Sequence, residues 1–96
     1  MGLSIRAENQ IHERIARVFD DSAASIMSFC EAGENSSVRR GVFKYGDTMF
    51  NSLQIRRLLD EIEAVPYSER SPALHELAEA GYLAIRRRGY LFFLGD

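Results

Sequence analysis

The sequence predicts a single small α+β domain in which a mostly antiparallel sheet packs against helices. Three observations predict this class: short segments that alternate apolar and polar residues, longer segments with apolar residues at helical spacing, and helix-start signals between them. The predicted order along residues 1–96 is β-β-α-β-α-α-β. With 46% hydrophobic residues, a chain of 96 residues can form one core.

The first two strands are predicted on either side of a polar turn at Glu8-Asn-Gln. Leu3-Ser-Ile-Arg-Ala alternates apolar and polar residues, as a strand does. Residues 11–19 are ambiguous: Ile11, Ile15, Val18 and Phe19 fit helical spacing, while Ile11, Ile15 and Phe19 also lie on one face of a strand, and periodicity alone favours the helix. We favour a strand, since two strands joined by a short turn cover each other's edges.

A helix and a third strand are predicted in the middle of the chain. Asp20-Asp21-Ser22 can cap the helix, because short side-chain oxygens accept from its free amides. The residues predicted on one face of this helix are Ala23, Ile26, Met27 and Cys30. After the loop-like Gly33–Ser37, the segment from Val38 to Tyr45 reads as a strand that Gly41 weakens.

The segment from Tyr45 to Val65 predicts a turn at Gly46-Asp47, extended residues at Thr48-Met49-Phe50 and then an amphipathic helix. Asn51 and Gln54 have the spacing of a capping box, and Phe50 and Ile55 have that of a hydrophobic staple. The apolar stripe consists of Ile55, Leu58, Leu59 and Ile62. Pro66 ends this helix because it lacks a backbone donor.

A last helix and a last strand complete the predicted order. Ser71-Pro72 starts the helix, and Gly89 is its expected stop. The continuous apolar run from Tyr90 to Leu94 predicts a central strand that is covered on both faces. If that run were instead an exposed edge strand, two chains would pair through it as a homodimer.

Charge and composition exclude several classes of protein. A net charge of −2 argues against a general nucleic-acid binder. The single cysteine, Cys30, leaves no internal disulfide, and its place late in a helix favours a small buried hydrophobe over a reactive thiol. Neither a signal peptide nor a membrane-spanning apolar run is visible. These features predict a cytoplasmic protein without membrane attachment.

The sequence carries no pattern typical of a catalytic, metal or cofactor site. The only metal-like fragment is His75 with Glu79, and two ligands are too few for a retained metal. We therefore expect no cofactor, no metal and no enzymatic activity. A small enzyme that uses the carboxylates of Asp47 or Asp96 ranks as the third hypothesis.

Two segments carry a resemblance. Tyr45-Gly-Asp-Thr-Met-Phe-Asn and the final Tyr90-Leu-Phe-Phe-Leu-Gly-Asp resemble those of a group of small bacterial α+β proteins of unassigned function. These proteins are similar in their opening strand, in the Gly-Asp-Thr-x-Phe-Asn turn and in a closing strand that ends in Gly-Asp. The resemblance implies the same β-β-α-β-α-α-β order and transfers no active site. By size and class, the chain also resembles the immunity proteins of bacterial toxins.

The leading functional hypothesis is a non-catalytic protein-binding module, specifically an immunity protein that neutralises a bacterial toxin domain. Tyr67 and Tyr82 are candidate exposed anchors, since interfaces favour tyrosine and arginine. Some of the charges can also pair internally, because Arg56–Asp60 and Arg57–Glu61 have i, i+4 spacing. The candidate partner-binding residues are Asp47, Arg56, Arg57, Asp60, Glu61, Glu63, Arg86, Arg87 and Arg88.

The alternative is a DNA-binding regulator that resembles a winged helix over residues 74–93. In that hypothesis the recognition helix ends at Gly81, and residues 82–93 form a hairpin whose Arg86–Arg88 run contacts phosphates. Glu76 and Glu79 argue against it, because phosphates would repel both carboxylates.

Overall fold

The computed structural model describes residues 2–95 and confirms the predicted class. A four-stranded antiparallel sheet packs against three helices, in the predicted order of strands and helices. The elements are β1 (Ser4–Glu8), β2 (Arg14–Phe19), α1 (Ser25–Glu31), β3 (Asp47–Phe50), α2 (Ser52–Glu63), α3 (Pro72–Arg86) and β4 (Tyr90–Leu94). Short 3-10 turns at Arg39–Gly41 and Tyr67–Glu69 complete the described chain.

The strands lie in the order β2-β1-β4-β3, and every neighbouring pair is antiparallel. The ambiguous segment 11–19 therefore contains a strand, as predicted, over Arg14–Phe19. β4 lies inside the sheet, which confirms the prediction of a central strand and removes the alternative of an exposed edge at Tyr90–Leu94. Pairing of two chains through β4 is therefore excluded by its position, and the edges of the sheet are β2 and β3.

The helices all lie on one face of the sheet, and the core is between them. Ile5 and Ala7 of β1 and Leu91 and Phe93 of β4 are fully buried there. The predicted covering of β4 on both faces is wrong, because the alternate side chains of that strand are only half-buried. Within residues 2–95, no helix covers the second face of the sheet.

The predicted starts of α2 and α3 are confirmed in atomic detail, whereas α1 begins at Ser25 and does not include the predicted Ala23. Asn51 Oδ1 accepts from the Gln54 backbone at 3.0 Å, and Gln54 Oε1 accepts from the Asn51 backbone at 2.9 Å. Ser71 Oγ accepts from the Leu74 backbone at 3.1 Å. At α1 the two carboxylate oxygens of Asp20 accept from backbone amides of the first turn, at 2.8 and 2.9 Å. Each cap satisfies amides that a helix leaves free.

The strand predicted from Val38 to Tyr45 is wrong. This segment contains the 3-10 turn Arg39–Gly41, and the third strand begins later, at Asp47. The reason is a contact across the fold: the carboxylate of Glu61 on α2 accepts from the backbone amides of Val38 and Arg39, at 2.9 and 3.0 Å. These amides are therefore not available to a sheet.

The end of α3 also differs from its prediction. The residue in the left-handed conformation is Arg88, with φ 55°, and not Gly89. The amide of Arg88 donates to the Ile85 carbonyl at 3.0 Å and that of Gly89 to the Ala84 carbonyl at 2.8 Å, which is the Schellman pattern. Arg88 thus occupies the position that glycine usually fills.

Replacing Arg88 by glycine is expected to stabilise the protein. Glycine adopts a positive φ without the Cβ clash, and we expect a gain of about 0.5–1 kcal/mol in unfolding free energy. Thermal unfolding should show a rise of about 2–8 °C in Tm. The matched control is Arg87→Gly, which should lower Tm because Arg87 has a negative φ of −94°. An equal fall in Tm for Arg88→Gly and Arg87→Gly would contradict the left-handed conformation of Arg88.

Candidate partner-binding surface

The structure places the predicted partner-binding residues of α2 on two different sides of that helix. Arg56, Arg57 and Asp60 are exposed. Neither of the predicted i, i+4 ion pairs with Asp60 and Glu61 forms, although all four residues are described. Glu61 instead bonds two backbone amides of the 3-10 turn, so its carboxylate is used by the fold.

Glu63 is also engaged within the chain. Its carboxylate accepts a hydrogen bond from the hydroxyl of Tyr82 on α3, and this bond raises the pKa of the Tyr82 phenol. The contact links the exposed edges of α2 and α3. Tyr82 is therefore oriented by its own chain, whereas Tyr67 has an exposed side chain beside His75.

The arginine run spans the C-terminal end of α3, and residues 82–93 do not form the hairpin of the winged-helix hypothesis. α3 continues through Gly81 to Arg86, and β4 pairs with β1 and β3. Gly81 permits close packing instead of ending the helix, since a Cβ there would lie 3.1 Å from Leu59 Cδ2. Arg86, Arg87 and Arg88 are exposed at one end of the helical layer.

Asp47 is the one predicted partner-binding residue that lies on the sheet. It begins β3 as the register partner of Leu94 on β4, and its side chain is exposed. Asp96, the other carboxylate considered for acid–base chemistry, lies outside the described residues. Asp47 therefore belongs to a different surface from the charges of α2 and α3.

That surface is the uncovered side of the sheet, which we call the open face. Its side chains form rows that run across all four strands, because opposed residues of neighbouring strands point to the same side. In strand order β2-β1-β4-β3, one row is Phe19, Ser4, Leu94 and Asp47, and the next is Arg17, Arg6, Phe92 and Met49.

The open face combines exposed apolar side chains with arginines that stack on them. Phe19 is 62% exposed and Met49 is 48% exposed. The guanidinium carbon of Arg6 lies 5.1 Å from the ring centroid of Phe92, and that of Arg17 lies 5.7 Å from the centroid of Phe19. The rings of Phe92 and Phe19 are thus each partly covered by an arginine of the same chain.

A depression of about 380 Å³ interrupts the first row. Phe19 and Leu94 stand on its two sides, and Ser4 lies between them in the register. The small Ser4 side chain leaves this space between two large apolar neighbours. The depression is therefore a place where a side chain of another molecule fits.

A buried carboxylate supports the end of the open face near the β1–β2 turn. Glu8 is only 6% exposed, and its carboxylate lies 2.9 Å from His12 Nδ1 and 3.5 Å from Arg6 Nε. The His12 ring stacks on Tyr90 with centroids 4.5 Å apart, and His12 adopts a positive φ of 65°. These contacts hold the turn against β4 and orient Arg6.

The described residues include neither a metal-ligand cluster nor a helix that could span a membrane. Among residues 2–95, no three His, Cys, Asp or Glu side chains are grouped so that they could hold a metal ion. No helix in that range has the length and apolarity needed to cross a bilayer. Cys30 is buried in the core, and its burial raises the pKa of the thiol to about 12.

Cys30 is expected to resist alkylation in the folded protein. At about pH 8, iodoacetamide reacts with thiolates, and a buried thiol with a raised pKa supplies almost none. Mass spectrometry should find the intact protein unmodified and the urea-unfolded protein fully modified. Because the folded pKa exceeds the unfolded one, this group also lowers stability as pH rises above the ordinary thiol range. Rapid labelling of the folded chain would contradict the burial of Cys30.

Comparison with known proteins gives no relative for this chain: no family model, no curated protein and no solved structure matches it.

Reasoning from sequence missed the open face. Its signal is present in the alternation of Ile5 with Arg6 and of Val18 with Phe19, which marks one covered and one uncovered side. The apolar run of β4 concealed that signal, because Phe92 and Phe93 read alike although only Phe93 is fully buried.

Proposed function

We propose that this protein is a non-catalytic protein-binding module that binds its partner through the open face. The observation that carries the proposal is that, among the described residues, no helix covers the second side of the four-stranded sheet, which presents Phe19 and Met49 to solvent. Exposed apolar patches bordered by polar groups mark interaction sites. Aromatic residues, methionine and arginine are also the types that protein interfaces favour.

The open face fits a partner better than the charged surfaces predicted from sequence. Binding energy concentrates in apolar or aromatic anchors that fill pockets, and the depression between Phe19 and Leu94 provides such a pocket. Exposed ion pairs contribute little, about 0–1 kcal/mol each. Arg56, Arg57 and Asp60 are exposed on α2, which packs on the other side of the sheet, so their side chains lie outside the open face.

The specific form of the proposal is an immunity protein that occludes a bacterial toxin domain. The supporting features are the size of the chain and its α+β class, in which it resembles immunity proteins. Co-expression with a toxin encoded beside its gene tests this form. Cells should survive with the wild-type chain and die with an open-face variant. Equal survival with both would contradict toxin neutralisation through the open face.

The proposed surface itself is tested by affinity capture from native cells with matched variants. Phe19→Ser and Met49→Ser alter exposed side chains of the open face, whereas Arg56→Gln and Arg57→Gln alter the exposed side of α2. A partner that binds the wild type should be lost with the first pair and retained with the second. Loss of the partner with the α2 variants and its retention with the open-face variants would place the interface on α2 and overturn the proposal.

A further inference from the structure

We infer that Arg6 and Arg17 form a carboxylate-binding pair on the open face, so that the partner presents Asp or Glu side chains there. The inference rests on the proposed function and specifies the chemistry of the partner. It follows from the register of β1 and β2, from the stacking of both guanidinium groups and from the shortage of acidic side chains around them.

The register places two positive charges opposite each other. Arg6 of β1 and Arg17 of β2 are direct cross-strand partners. Like charges in that position are destabilising unless an anion compensates them. Among residues 2–95, the one acidic side chain within ion-pair distance of Arg6 is Glu8, at 3.5 Å from its Nε, and Glu8 is already shared with His12. No described acidic side chain lies within ion-pair distance of Arg17.

Both arginines present hydrogen-bond donors to solvent, since Arg17 is exposed and the Arg6 side chain is 32% exposed, although Nε of Arg6 is itself buried without a hydrogen-bond partner. Phe92 lies beneath the guanidinium of Arg6, and Phe19 lies beneath that of Arg17. A guanidinium that stacks on a ring keeps its N–H donors in its own plane, where a carboxylate can accept two of them. Because the stacking limits rotamer freedom before binding, less entropy is lost when the carboxylate docks.

The same stacking favours a protein partner over a single-stranded nucleic acid. Proteins that bind single strands stack bases on exposed aromatic faces. Here Arg17 covers Phe19, Arg6 covers Phe92 and His12 covers Tyr90. A base would have to displace His12 to reach the covered face of Tyr90, and the net charge of −2 adds no general attraction for phosphates. A carboxylate binds the guanidinium groups without displacing these side chains.

The test is a nuclear magnetic resonance titration of the full isotope-labelled chain, observing the Nε–H signals of its arginines. The probe is a capped pentapeptide with two glutamates on either side of a leucine, which can enter the depression beside Phe19. Its matched control carries glutamines in place of the glutamates. The glutamate peptide should shift the Arg6 and Arg17 signals at about 50 mM salt and about tenfold less at about 300 mM salt.

Variants of Arg17 complete the test, because this exposed side chain has no ion pair with a carboxylate of residues 2–95 whose loss would disturb folding. Arg17→Gln should weaken peptide binding about tenfold, and Arg17→Lys should weaken it less, since lysine keeps the charge but not the planar donors. Arg56→Gln on α2 is the control and should leave binding unchanged.

Three outcomes would overturn the inference. They are equal shifts with the glutamine peptide, unchanged binding by Arg17→Gln, and larger shifts with a thymidine oligonucleotide than with the glutamate peptide. If the captured partner is still lost with Phe19→Ser and Met49→Ser, the proposed function stands while this inference fails. If those variants retain the partner, the proposed function fails as well.

Discussion

Replacing Gly89 by alanine is expected to lower the unfolding free energy by at least about 3 kcal/mol, or to prevent folding altogether. A Cβ at this position would overlap the carbonyl oxygen of Glu8. It would also lie 2.7 Å from the carbonyl carbon of Glu8 and 2.8 Å from Asn9 Cα. All three are backbone atoms of β1 and its turn, so no side-chain rotation can relieve the contact. The variant must separate β1 from the end of α3 or distort both.

The matched control is Gly41→Ala in the 3-10 turn Arg39–Gly41. A Cβ at Gly41 meets nothing within 4 Å, and Gly41 has no positive φ. Urea unfolding followed by circular dichroism should show a large fall in midpoint for Gly89→Ala and almost none for Gly41→Ala. A fall of less than about 1 kcal/mol for Gly89→Ala would mean that β1 and the α3 end do not meet in this way.

Replacing Glu61 by alanine is expected to cost about 2–4 kcal/mol of unfolding free energy. Its carboxylate accepts from the backbone amides of Val38 and Arg39, which are part-buried. An amide that loses its acceptor in a buried site costs about 1–3 kcal/mol, and two are involved here. The 3-10 turn should be destabilised more than the rest of the fold. Amide hydrogen exchange at Val38 and Arg39 should therefore be faster than in the wild type, through local opening without global unfolding.

Two further variants separate this structural role from a role in binding. Glu61→Gln keeps one acceptor oxygen and should cost about half as much as Glu61→Ala. Asp60→Ala removes the exposed neighbouring carboxylate on α2 and should change stability by less than about 0.5 kcal/mol. Equal effects of Asp60→Ala and Glu61→Ala would show that the two amides are satisfied in another way.

Elements whose determinants are close in sequence were predictable. The capping box of Asn51 and Gln54 and the cap of Ser71 lie within four residues of chain, so the starts of α2 and α3 followed from the residues alone. The segment from Val38 to Tyr45 was not predictable in the same way. Its conformation depends on Glu61, which is more than twenty residues away and reaches it only in the folded state.

The candidate site was hidden for a related reason. The sequence places Arg6 and Arg17 in different strands, and only the register makes them direct neighbours on one face. A bulge between Ala7 and Glu8 shifts that register near the turn, and no local signal predicts it. Charges on α2 were easier to notice as a run, yet the fold employs Glu61 and Glu63 itself.

The central position of β4 has a consequence for folding kinetics. Glu8 pairs with Tyr90 and Ser4 with Leu94, so the middle of the sheet joins segments from opposite ends of the described chain. Closing so long a loop is slow, whereas β1 and β2 form a local hairpin that needs no such closure. We therefore expect the insertion of β4 to be the rate-limiting step. The row from Arg17 to Met49 needs all four strands, so a chain acquires its binding surface only at that step. A partner that recognises this row would therefore bind only the fully folded chain.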